Sequence, residues 1–197
     1  FIRVHHLGIC SGLYPEPLLN EWDRWQGDHP VECQNIRPDY LPPEQLYAVF
    51  VLAHGGTSLE HYRFQSLAEL QSLLQQLAYI LALAEKELQF EHRDMHWGNI
   101  LLAPSERTTL AYALTDAGAK SDPPVVHNVP TAGLEVHIID YTFSRLNVPG
   151  QREQLFHVDI TDPDMFTGQG DRQFDVYRQM AADSGGKWSD FCPKSNI

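Results

Sequence analysis

The clearest rhythm along the chain is helical. Leu67, Leu70, Leu73, Leu74, Leu77, Ile80, Leu81, Ala84 and Leu88 recur at spacings of three and four, the period that lines one face of an α-helix. Ser66 and Glu69 stand ahead of this run in the capping pattern S-x-x-E, so a mostly buried helix is predicted over 66–89. The continuous apolar run 46–52, rich in β-formers and closed by Gly55-Gly56, reads as a buried strand. Two further short strands are predicted at 100–102 and 136–140, the second ending on a carboxylate. Between these elements, 1–14 reads as a strand and turn, and 15–43 as a proline-punctuated loop with a short helix at 18–25. Segment 90–98 reads as a polar-punctuated loop, 103–133 as a loop-rich insertion, 147–172 as irregular, and 174–182 as a helix stopped by Gly185-Gly186.

Composition narrows the class. The 197 residues are 43% apolar, 20% charged and 11% aromatic, which suits one globular domain or a large piece of one and excludes disorder for most of the chain. No run approaches the eighteen or so apolar residues of a membrane-spanning helix, and no leader is visible at the start. The first residue is Phe1 and not Met, so the chain is expected to begin partway through a longer product. With 14 basic and 26 acidic residues the formal net charge is −12, which opposes direct binding to nucleic acid and favours a basic partner. The three cysteines, Cys10, Cys33 and Cys192, are far apart and odd in number, as in a reducing compartment.

The candidate chemistry sits directly after the long helix. His92-Arg93-Asp94-Met95-His96-Trp97-Gly98-Asn99 fits the protein-kinase catalytic loop H-R-D-x-x-x-x-N at every fixed position. Asp140-Tyr141-Thr142, at the end of a predicted strand, stands where kinases carry the metal-binding D-F-G. The 46 positions from Asp94 to Asp140 are long for this spacing, and the insertion accounts for the excess. In this reading Asp94 accepts and orients the attacking hydroxyl, while Asn99 and Asp140 supply the hard oxygens that magnesium prefers. His92 and Trp97 are expected to pack, and Arg93 to tie the loop to the activation segment. Taken singly, each Asp or Asn would be a turn or cap residue.

These segments resemble the haspin family of atypical protein kinases. The resemblance spans nearly the whole chain and rests on Phe90 to Asn99, on Ile138 to Leu146 with its D-Y-T, on Phe166-Thr167-Gly168-Gln169-Gly170-Asp171, and on Gln173 to Arg178. It implies an α+β, protein-kinase-like fold, mainly the helical C-terminal lobe with hinge and remnant N-lobe strands. Residues 1–56 would form those strands and the hinge, and 57–197 the C-lobe, truncated at its end. It implies ATP and Mg²⁺ as cofactors, and a threonine of the basic histone H3 amino-terminal tail as substrate during mitosis. Leu52 would be the gatekeeper. Ala53, His54, Gly55 and Gly56 would be the hinge against adenine, with His96 near phosphate. Glu60, Asp162 and Asp164 would hold the cationic tail, in keeping with the acidic stretch 159–175. A monomer in the nucleus, on chromosomes and not at a membrane, is the implied setting.

Some departures and absences bear on activity. Ala53, His54 and Ser58 differ from the acidic and aromatic residues expected of this family at the hinge, and no Gly-rich loop or V-A-I-K-type lysine occurs in the chain. The chain by itself is therefore expected to have little or no kinase activity. Two other readings stand beside the first: a small-molecule phosphotransferase of the aminoglycoside or choline kinase type, and an inactive, pseudokinase-like module that binds a basic tail.

Overall fold

The computed structural model describes residues 2–114, 124–150 and 154–196. The chain divides into two compact units, one of residues 3–53 and the other of 54–197 with the first two residues. The division falls inside the expected hinge segment.

In the smaller unit, β1 (Val4–Ser11) pairs antiparallel with β2 (Leu46–Leu52). Between them runs α1 (Glu16–Asp28), longer than the helix predicted at 18–25. It opens on proline, whose fixed φ and missing N–H suit a first helical turn. Arg37 holds Asp23 of this helix through Nε at 2.8 Å and Nη2 at 3.0 Å. The expectation of a buried strand at 46–52 is corrected: Leu46, Val49, Phe50, Val51 and Leu52 are all exposed. Among the described residues this sheet has two strands, and a two-stranded ribbon has no inner face to hide its side chains in.

The larger unit is built on a three-stranded antiparallel sheet of β3 (Thr57–Ser58), β4 (Ile100–Pro104) and β7 (Leu134–Ile138), in the order β3-β4-β7. Gly56 has φ +99°, and a Cβ there would lie 2.0 Å from the Leu102 carbonyl oxygen. Only glycine permits that approach. The predicted long helix is α2 (Leu67–Leu88), capped as the pattern implies: Ser66 accepts from the Glu69 N–H at 3.2 Å, and the Glu69 carboxylate accepts from the Gln65 N–H at 2.8 Å.

The apolar stripe of α2 is less buried than expected, since Leu67, Leu70 and Leu74 are exposed. Its hidden residues include Ser72 and Gln76. Gln76 donates to the Leu134 carbonyl at 2.9 Å and accepts from the Val136 N–H at 3.0 Å, so one side chain completes the edge of β7. Ser72 donates to the Pro130 and Thr131 carbonyls at 2.8 Å. A second expectation is corrected here: by length and a mean hydropathy of 1.2, α2 does qualify as long and apolar enough to cross a membrane. Its polar docking onto β7 marks it as a core helix, with Leu73 packed against Ile100, Leu102 and Val136.

The described part of the insertion is less loop-rich than expected. It is a hairpin of β5 (Thr109–Leu114) and β6 (Val125–Pro130), with Tyr79 of α2 stacked on Tyr112 at 5.2 Å between ring centroids. The centre of the expected insertion, 115–123, lies outside the described residues. Segment 147–172 is likewise more ordered than expected: β8 (Leu146–Val148) pairs with β9 (Gln154–Phe156), and α3 (Pro163–Thr167) follows. The last helix, α4 (Arg172–Ser184), starts two residues earlier than predicted, because Asp171 caps it by accepting from the Gln173 N–H at 2.8 Å. Tyr177 and Met180 of α4 join Ile160 and Trp188 in a second core.

Candidate active site

The loop between α2 and β4 is held by backbone and imidazole bonds. Glu91 and Arg145 exchange both backbone hydrogen bonds at 2.9 Å. His92 is fully buried; its Nε2 bonds the Ile139 carbonyl at 2.9 Å, and its Nδ1 accepts from the Asp94 N–H at 3.3 Å. These two bonds require the neutral ring with its proton on Nε2, and burial lowers the His92 pKa. Arg93 and Asp140 have left-handed backbones, with φ of +68° and +62°. Two non-glycine residues in that region, both beside the His92 bonds, mark locally stored strain.

The β4–β7 register brings Asn99 and the end of β7 together. Ile100 pairs with Ile138, and the Ile139 N–H donates to the Asn99 carbonyl at 3.0 Å. Asp140 therefore follows directly beside Asn99. The Asn99 side chain is buried and donates from Nδ2 to the Asp94 carbonyl at 3.0 Å, which commits its nitrogen and leaves the amide oxygen as the acceptor. Asp140 Oδ1 accepts from Thr142 Oγ1 at 2.5 Å and from the Thr142 N–H at 3.2 Å. These bonds lower its pKa and keep it ionised, and leave Oδ2 for a ligand. An amide oxygen and a carboxylate oxygen fit Mg²⁺, which takes few protein ligands and fills its octahedron with water and phosphate. Among the described residues no group of three or more His, Cys, Asp or Glu side chains forms a metal cage.

Asp94 is anchored on one oxygen. Its Oδ1 accepts from Gln173 Nε2 at 2.7 Å and from the Tyr177 hydroxyl at 2.7 Å. Its Oδ2 lies 4.0 Å from His96 Nε2. Asp94, His96, Trp97, Glu60, Gln173 and Tyr177 are among the walls of a cavity of about 680 Å³. His96 Nδ1 accepts from the Gly98 N–H at 3.1 Å, which aims the other nitrogen at Asp94. Glu60 borders this loop: a Cβ on Gly98 would lie 3.9 Å from its carboxylate. Burial lowers the His92 pKa, and both aspartates act against that shift.

Other predicted residues are placed differently. Trp97 is exposed at the cavity wall and does not pack. Arg93 is buried and does not reach the segment after Asp140; it donates to the Glu91 carboxylate at 3.2 and 3.3 Å and to the Trp188 carbonyl at 2.7 Å. Glu91 and Arg145 make the tie to that segment instead, through the paired backbones and an ion pair of 3.9 Å. Asp162 caps α3 by accepting from the Asp164 N–H at 3.0 Å, and Asp164 is exposed in its first turn. Neither belongs to the walls of the cavity around Asp94. Leu52 and Ala53 lie in the smaller unit, with the Ala53 N–H already donated to the Arg3 carbonyl at 2.8 Å. His54, Gly55 and Gly56 lie in the larger unit, His54 exposed and Gly55 buried.

Gln173 and Tyr177 were assigned no role from sequence. Their signal was a polar pair at i and i+4 just inside a capped helix, but nothing local ties them to an aspartate 79 and 83 residues away.

A loop aspartate, an asparagine beyond it and a strand-end aspartate brought alongside by an antiparallel ladder are the working parts of a protein-kinase-like site. The model of the haspin-like kinase domain matches residues 1–197, and the chain belongs to that family. It is 40% identical over its whole length to serine/threonine-protein kinase haspin of Bos taurus, where the match covers 24% of the relative. It is 36% identical to the haspin homologue of Arabidopsis thaliana, covering 31% of it, and 34% identical to the haspin homologue hrk1 of Schizosaccharomyces pombe, covering 41%. The chain thus spans between about a quarter and two fifths of the length of these curated relatives.

Proposed function

We propose that the protein carrying this chain is a serine/threonine kinase that transfers the γ-phosphate of ATP to a threonine of the histone H3 amino-terminal tail. The observation that carries the reading is the convergence of Asp94, Asn99 and Asp140. The Asp94 carboxylate is anchored on a single oxygen at a cavity, its backbone carbonyl accepts from the Asn99 amide, and Asp140 directly follows the residue whose N–H bonds the Asn99 carbonyl.

Asp94 orients the acceptor hydroxyl and takes its proton on Oδ2. The hydroxyl oxygen forms its bond to the γ-phosphorus as the bond from that phosphorus to the β–γ bridging oxygen breaks, and ADP leaves. Mg²⁺, when bound, would supply neutralisation of the phosphate charge. Asn99 and Asp140 are the side chains that would hold it. Glu60, at the wall of the same cavity, would attract a cationic residue next to the acceptor. The net charge of −12 and the exposed carboxylates of α3 would draw in a basic tail. A chromosomal role in the nucleus during mitosis follows from that substrate, with the kinase acting as a monomer.

The test is phosphate transfer by the whole protein from γ-labelled ATP with Mg²⁺ to a histone H3 tail peptide. Asp94→Asn should lower kcat by about 10² to 10⁴, the usual contribution of a general base, while peptide binding persists. Transfer that survives Asp94→Asn would remove the reading.

A further inference from the structure

The first core of the larger unit and the hairpin of the insertion carry no feature that selects a ligand, and the buried Arg93–Glu91–Arg145 cluster is bonded within the fold except at Arg93 Nη1. The contact that goes further joins α4 to the catalytic loop. We infer that Gln173 and Tyr177 are positioning residues for Asp94: together they occupy one of its carboxylate oxygens and present the other to the acceptor hydroxyl. This rests on the kinase reading above.

The geometry is a closed triangle. Gln173 Nε2 donates to Asp94 Oδ1 at 2.7 Å and to the Tyr177 hydroxyl oxygen at 2.7 Å, and the Tyr177 hydroxyl donates in turn to Asp94 Oδ1 at 2.7 Å. Gln173 has two amide N–H bonds and Tyr177 one O–H, so all three donors are used, and Oδ1 has both lone pairs filled. Proton uptake at Oδ1 would break this triangle. Oδ2 carries no such bonds and is the oxygen on the His96 side.

The triangle is built on rigid supports. Asp171 caps α4 at the Gln173 N–H, which fixes where the helix begins. Gln173 and Tyr177 then fall one turn apart on one face. The Tyr177 ring is buried with Ile160, Met180 and Trp188. Burial and the Asp94 charge raise the Tyr177 pKa, so the phenol stays protonated as a donor. The bonds span 79 and 83 residues of sequence, so the carboxylate is oriented by an element outside its own loop. A carboxylate held by two neutral donors keeps its direction without losing its charge.

Tyr177→Phe keeps the packed ring and removes one donor, and Gln173→Met keeps the length of the side chain and removes the other. Both are made in the whole protein and assayed with ATP, Mg²⁺ and the histone H3 tail peptide, beside Tyr177→Leu as a packing control. Each of the first two should lower kcat on the order of 10-fold or more, as the loss of one hydrogen bond to a charged group does, with KM for ATP and peptide within about twofold of the parent. Unchanged kcat in both variants, with a deficit in Tyr177→Leu alone, would overturn the inference and make Tyr177 a packing residue. Transfer independent of Asp94 would overturn the kinase reading and this inference with it. Transfer that needs Asp94 but is indifferent to both variants would overturn the inference alone.

Discussion

The catalytic loop and the acidic stretch that follows it later in the chain are both dense in charge, yet the fold uses them in opposite ways. From Glu91 to Asn99 the polar side chains are mostly buried and bonded to partners far away: Arg93 to Trp188, Glu91 to the Cys192 N–H, Asp94 to α4. From Asp159 to Asp175 the carboxylates are exposed and serve their neighbours. Asp162 and Asp171 cap helices, Asp159 faces His157 at 3.4 Å, and Asp175 pairs with Arg178 at 2.5 Å. The first region has a rigid geometry that can direct a reaction. The second has a field, which attracts a cation without specifying where each atom sits.

The sharpest way to break that contrast is to remove a buried charge. Glu91 is nearly inaccessible and accepts from Arg93, Ser195 and the Cys192 N–H. Glu91→Ala should cost about 3–5 kcal/mol, because it strands buried guanidinium groups. Denaturant unfolding of the variant measures this, and a loss near that of a surface pair would place Glu91 with the acidic stretch. Neutralising the other region should be milder. Asp162→Asn with Asp164→Asn should raise KM for a basic peptide a few-fold, about 1 kcal/mol of exposed charge interaction, and leave kcat alone. Added salt should shrink the difference. A fall in kcat, or no response to salt, would show that these carboxylates touch the reacting groups.

The smallest effect expected is a pH dependence. Burial holds the folded pKa of His92 below its ordinary value, so the unfolded chain binds the extra proton first. Its contribution to stability is present above about pH 6.5, the unfolded pKa, and is lost as the pH falls toward the lower folded value. His137 is depressed by burial in the same direction. Unfolding midpoints of the parent and of His92→Asn, followed from neutral to mildly acidic pH, should converge as the pH drops. Parallel curves would mean that His92 titrates alike in the folded and the unfolded chain.

How far the chain could be read in advance followed the range of the interactions. The Ser66 cap and α2, the catalytic loop, the strands beside it and the glycines at the turn of β3 are set by neighbours within a few residues, where periodicity and turn chemistry act. Burial was harder to read. The run 46–52 has the composition of a core strand and lies exposed because its sheet has two strands. The stripe of α2 suggested an apolar face, yet Gln76 docks that helix by completing the backbone of β7, and Ser72 by bonding the Pro130 and Thr131 carbonyls at the end of β6. The strands of the insertion that the structure describes, β5 and β6, carry a weak local signal because their residues are mixed.

The residues by themselves pointed to Asp94, Asn99 and Asp140 as the candidate chemical groups, and to the family, which the comparison with known proteins bears out. Only the tertiary structure decided which Asp94 oxygen is occupied and which is presented, and that Arg93 is buried against Glu91 and Trp188. The physical reason is that a hydrogen bond needs its partners within about 3 Å. Residues 79 or 95 apart in sequence come that close through the path of the whole chain, which no local pattern records.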